Sequence, residues 1–192
     1  MKTTLILGIA TLLGSLPLMA QGTGGHASNA GSCCSGAPTV AAAPGNHGGH
    51  SPAVSAATAA ALAKLDGTAR VVFDNYLTVQ TALASDSMEK VTASAELLAK
   101  AIRADSGKPF PAEIAGQASA LAQAKDLAAA RKAFQPLSQS LVQHVKAGKV
   151  PAGTLFEVYC PMAKASWLQA DKTVRNPYFG RAMLDCGVVR PG

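Results

Sequence analysis

Residues 88–102 read MEKVTASAELLAKAI, and their apolar side chains recur at one spacing. Met88, Val91, Ala95, Leu98 and Ile102 stand three or four positions apart, which lays them along one stripe of an α-helix. Asp86-Ser87-Met88-Glu89 just before the run has the form of a capping box, with Asp86 as the cap and Glu89 three residues on. Upstream, Ala69, Val72, Phe73, Tyr76, Val79 and Leu83 make a second stripe in a helix predicted over 55–84, with Gly67 as its weak point. Downstream, Gly107, Pro109 and Pro111 end one element and start the next, a helix over 111–124 with Ile114, Ala118 and Leu121 inward. A fourth helix over 126–147 carries Leu127, Phe134, Leu137, Leu141 and Val145. Pro136 inside it is expected to kink or split it. The expected fold class is mainly α: an up-and-down bundle of about four helices with a small C-terminal strand and loop motif, together spanning 55–192.

The last 40 or so positions change character. Leu155-Phe156-Glu157-Val158-Tyr159-Cys160 is aromatic and β-branched and predicts a short strand. Asn176-Pro177-Tyr178-Phe179-Gly180 is a turn signal, and a second extended piece is expected over 187–189. At the other end, Lys2 followed by the apolar run Leu5–Leu18 and by Ala20 reads as an export signal over residues 1–20. A membrane anchor needs roughly 20 apolar residues, and this run is shorter. Residues 21–54 are rich in Gly, Ser, Ala and Pro without helical or strand periodicity, the composition of a disordered linker. The expected location is therefore periplasmic or secreted, with no integral membrane segment in the mature chain. The net charge of +6 is scattered, without a basic run or interleaved aromatics, and offers nothing for nucleic acid.

The chemistry gathers around sulfur. Of the five methionines, Met1 and Met19 fall in the signal and Met88 fits a helical stripe. Met162 and Met183 each stand beside a cysteine, in Cys160-Pro161-Met162 and in Met183-Leu184-Asp185-Cys186. Residues two apart in an extended segment share a side, and residues three apart share the face of a helical turn, so each pair can converge on one ion. Thiolate and thioether are soft ligands that select Cu(I), or Ag(I) as its analogue, over hard cations. The same two cysteines could instead form a disulfide in an oxidising compartment, with the methionines as core filler. Spacing leaves both readings open. A second candidate set lies in the linker, where His26, Cys33, Cys34, His47 and His50 combine imidazole and thiol among small residues. His144, near the end of the fourth helix, is expected to act as a charge partner of the helix dipole. No Gly-x-Ser-x-Gly, phosphate-cradling loop or His-Glu-x-x-His is present, and an enzyme is not expected.

The stretch VYCPMAKASWLQADKTVRNPYFGRAMLDCGVV (158–189) resembles the C-terminal signature of a family of exported helical domains of unassigned function. Those domains occur alone or at the C-terminus of periplasmic adaptor subunits of copper and silver efflux systems. Asn75-Tyr76-Leu77 with Ala82-Leu83, and Arg131-Lys132-Ala133-Phe134 with Leu137-Ser138, are similar to its helices, so the resemblance runs over about 66–189. It implies Cys160, Met162, Met183 and Cys186 as metal-linked positions and Cu(I), with Ag(I) as a second cargo. Trp167, Asn176, Tyr178 and Gly180 are implied as residues that shape the site. A partner such as an efflux-pump adaptor or another envelope copper protein follows from the same resemblance. The rival expectations are a disulfide-stabilised module docking on an envelope efflux component, and a thiol-redox protein using Cys33-Cys34 or Cys160 and Cys186.

Overall fold

The computed structural model describes residues 55–191. The expected signal (1–20) and linker (21–54), with His26, Cys33, Cys34, His47 and His50, lie outside the described residues. Five helices come first: α1 (Ala56–Leu62), α2 (Gly67–Ala84), α3 (Val91–Ala104), α4 (Ala112–Ala122) and α5 (Leu127–His144). A three-stranded antiparallel sheet follows, built from β1 (Phe156–Cys160), β2 (Ala165–Gln169) and β3 (Val188–Val189) in the order β2-β1-β3. Consecutive helices pack on one another from α2 to α5, and α5 also packs on β2. Among the described residues, no helix is long and apolar enough to cross a membrane.

The stripes read from the sequence are the core. Val72, Phe73, Tyr76, Val79 and Leu83 of α2 are fully buried, and so are Val91, Ala95 and Leu98 of α3. Ala118 and Leu121 of α4 meet Phe134, Leu137 and Leu141 of α5 in the same cluster. Met88 packs on its edge. Burying a side chain of this size contributes about 1.5–3 kcal/mol, which is why stripe residues outweigh the modest helix propensity of Val and Phe.

The first predicted helix is two, broken at its expected weak point, where Gly67 takes φ 50° after Asp66. Three other local readings need correction. Asp86 does not cap α3: it lies in a left-handed turn (φ 57°), and the helix begins only after Lys90, also left-handed. Its carboxylate goes to the Arg131 guanidinium and the Arg181 N–H, partners that sequence spacing does not show. Pro136 neither splits nor ends α5, because it sits on the exposed side, where water can reach the carbonyl its ring leaves without a donor. The strand β2, ASWLQ, was not foreseen. It is fully buried on both faces, so the alternation that marks a strand is missing from its sequence.

Candidate metal centre

The motif is positioned by a hairpin and a stapled loop. Cys160 ends β1 opposite Ala165, and residues 161–164 form the turn into β2. Lys164 takes the left-handed conformation that closes this turn (φ 50°). The Cys160 sulfur faces inward, fully buried, and accepts the Ala163 N–H at 3.4 Å. From β2 the chain runs through the Asn-Pro-Tyr turn into a 3-10 turn (Gly180–Met183) and returns to pair as β3. This return brings the Cys186 sulfur to 3.3 Å from that of Cys160. Both cysteines are free thiols.

Asn176 organises the loop. Fully buried, it receives the Tyr178 and Phe179 N–H groups on its side-chain oxygen (2.8 and 3.3 Å) and donates its amide to the Cys186 carbonyl (2.8 Å). Its own N–H goes to the Leu184 carbonyl at 2.8 Å, and the Cys186 N–H closes a turn on the Met183 carbonyl at 3.0 Å. Gly180 has φ 57°, and a Cβ there would overlap the Asp86 carboxylate and the Arg131 guanidinium. That pair grips the loop: Arg131 donates to the carbonyls of Pro177 (3.0 Å) and Leu83 (2.9 Å) as well as to Asp86. Gly187, next to Cys186, lies so close to the Trp167 ring and Val158 that any side chain would collide with both.

Beneath the sulfurs runs a buried polar seam. Tyr76 of α2 and Ser138 of α5 share a hydrogen bond of 2.7 Å. The Tyr76 hydroxyl also accepts the Leu168 N–H, while the Ser138 and Tyr178 hydroxyls both donate to the Ser166 carbonyl. Burial pushes both phenols well above the ordinary tyrosine range, and the charge on Cys160 adds to this at Tyr178. Trp167 stands edge-on to Tyr178 and donates its indole N–H to Gln169.

The two thiols are unequal. Burial raises Cys160, but the Ala163 N–H, the Cys186 thiol, the Asn176 amide and the Met162 N–H together outweigh it and hold it below the ordinary thiol range. Cys186, giving its hydrogen bond to Cys160, is pushed up, with burial and the Cys160 charge acting in the same direction. Of the two, Cys160 therefore gives up its proton more readily than Cys186. Cys160 and Cys186 are brought together, as are their positioning residues Trp167, Asn176, Tyr178 and Gly180. Met162, at the hairpin tip, is 64% exposed, and Met183 is half-buried in the 3-10 turn. Among the described residues, no three His, Cys, Asp or Glu side chains gather as a metal group. Sequence reasoning missed Asp86, Arg131 and Ser138 as supports of the motif, because their partners lie at least 28 residues away.

His144 is also unlike its expectation. It is 8% exposed, stacks on Phe110 at 4.2 Å between ring centroids, and is held below its ordinary pKa by burial and by Lys149. Stacking and desolvation outweigh the pull of the helix terminus, so it is no charged partner for the dipole.

Fold and site together define a mainly helical domain whose C-terminal sheet and return loop bring a buried and a half-buried thiol together. A DUF3347 domain, described as a protein of unknown function, is found at residues 72–153. It covers most of α2 and all of α3 to α5, and stops short of both cysteines. No curated protein and no solved structure matches the chain.

Proposed function

We propose that the chain is an exported, non-catalytic protein that binds Cu(I), or Ag(I) as its analogue, through Cys160, Cys186, Met162 and Met183. The observation that carries this reading is the 3.3 Å separation of two sulfurs from segments 26 residues apart. A soft ion takes both sulfurs as thiolates in place of thiol protons, so binding releases protons. The sulfurs must part to admit it, and the exposed Met162 is free to swing in as a thioether ligand. Zinc fits less well, since thioether is a poor ligand for it.

In this role the protein hands the ion on by ligand exchange, one sulfur replacing another, to an efflux-pump adaptor or another envelope copper protein. The His26, Cys33, Cys34, His47 and His50 set would raise the local metal concentration near the folded site. The test is a Cu(I) competition titration of the reduced full chain against a coloured chelator. One tight equivalent is expected to survive Cys33→Ser with Cys34→Ser, weaken in Met183→Leu and vanish in Cys160→Ser. An equivalent that persists in Cys160→Ser places the ion elsewhere and ends this reading.

A further inference from the structure

We infer that Cys160 and Cys186 form a reversible dithiol–disulfide couple in which a low-molecular-weight disulfide is attacked first by Cys186 and the adduct is resolved by Cys160. The inference stands on geometry and does not depend on metal binding. The two sulfurs differ in access. Cys160 is fully buried at the end of β1, behind the 161–164 turn whose Ala163 N–H rests on its sulfur. Cys186 is half-buried on the return loop, so a reagent of several atoms meets its sulfur first.

The two sulfurs are also held at reaction distance. A separation of 3.3 Å lies within the roughly 3–3.5 Å of a near-attack arrangement. Cys160 is fixed because β1 pairs with a strand on each side. Cys186 is fixed by the Asn176 amide on its carbonyl, by its own N–H on Met183, and by Gly187 against Trp167. Closing the bond therefore needs a local adjustment and no refolding.

The steps balance. The Cys186 sulfur, giving up the proton it directs at Cys160, attacks one sulfur of the reagent R–S–S–R, forming Cys186–S–S–R and releasing one R–S⁻ that carries the proton away. The Cys160 thiolate then attacks the Cys186 sulfur, forming the internal disulfide and releasing the second R–S⁻. Two protein thiols are oxidised, one reagent disulfide is reduced, and the two thiol protons leave with the two R–S⁻ groups. Excess small thiol reverses both steps. The internal disulfide leaves no thiolate for a soft ion, so oxidation and metal binding exclude each other.

The test uses the full chain with Cys33→Ser and Cys34→Ser, metal-free, exposed to oxidised glutathione and followed by intact mass and non-reducing peptide mapping. The expected product is the Cys160–Cys186 disulfide with no retained glutathione, reversed by dithiothreitol. Cys160→Ser is expected to trap a stable glutathione adduct on Cys186, and Cys186→Ser to react about tenfold more slowly or less. Equal rates in the two variants, or a dithiol that persists in oxidised glutathione, overturn the inference. If a serine variant misfolds, alkylation of the folded Cys160/Cys186 chain decides. Cys186 should then be modified about tenfold faster than Cys160, and the reverse order overturns the assignment. Because no metal is present, failure here and failure to bind Cu(I) are separate results.

Discussion

In the helices, Val72, Phe73, Leu98, Leu121 and Leu141 meet one another through apolar surface alone, whereas beyond Leu155 almost every buried residue is held by a named hydrogen bond. Asn176 binds Tyr178, Phe179 and Cys186; Gln169 binds Trp167 and the carbonyls of Asp171 and Thr173; Ser138 and Tyr178 converge on Ser166. Apolar packing is non-directional and tolerates exchange at constant volume. Hydrogen bonds fix direction, and a buried group left without its partner costs about 1–3 kcal/mol. The helical part therefore supplies bulk stability, and the C-terminal part spends hydrogen bonds on holding two sulfurs in place. Trp167, the chain's one tryptophan, reports the second region, and far-UV circular dichroism reports the first.

The largest effect is expected where the two regions share a side chain. Phe134 is fully buried, stacked on Tyr76 at 5.3 Å and tilted against Tyr178 at 6.0 Å. Phe134→Ala should cost about 3–5 kcal/mol in urea unfolding. Tryptophan fluorescence and circular dichroism should still report one coincident transition, because the cavity opens beneath both regions. Two separated transitions would mean that the regions are less coupled than this ring contact implies.

Asn176→Ala should do the opposite. It removes the acceptor for two N–H groups and the donor to Cys186, for about 2–3 kcal/mol, part of which water recovers at the half-buried Cys186. The loss falls on the loop alone, so the fluorescence transition is expected at lower urea than the dichroism transition. Coincident transitions would show that the loop and the helices unfold as one unit, and the contrast between the regions would fail.

The same contrast explains what could be read from the sequence. The stripe from Met88 to Ile102 and the one from Val72 to Leu83 were legible because apolar packing leaves a periodic trace in the chain itself. The Asn176 turn and the strand at Phe156–Cys160 were legible through local turn and strand chemistry. The pairing of Cys160 with Cys186 was legible only as two alternatives, since spacing cannot tell a disulfide from a metal site. The Asp86–Arg131 grip and the Tyr76–Ser138 bond were not legible. Each joins residues at least 45 positions apart, and a hydrogen bond between distant residues leaves no period to find. The capping-box reading of Asp86 failed for the same reason, since a distant guanidinium won over a nearby N–H.

The smallest effect tests a titratable group lodged in the apolar region. His144 lies in the last turn of α5, stacked on Phe110. Burial first, and the Lys149 charge second, hold its pKa below the ordinary 6.5. The folded state thus binds the proton less readily than the unfolded chain. By linkage, its contribution is fully present above about pH 6.5 and is lost as pH falls below that value, levelling off once pH passes the folded-state pKa. Asp86 and Asp105 are held below 3.8, so they titrate under this window and do not mimic it. Urea midpoints at about pH 7.5 and about pH 5.5 should differ in the wild type and converge in His144→Gln. His26, His47 and His50 are common to both chains, so the difference between the two slopes is the readout. An unchanged slope in the variant would mean that His144 takes up its proton in the folded state as freely as in the unfolded one. The helical region would then accommodate a charge that its apolar packing should refuse.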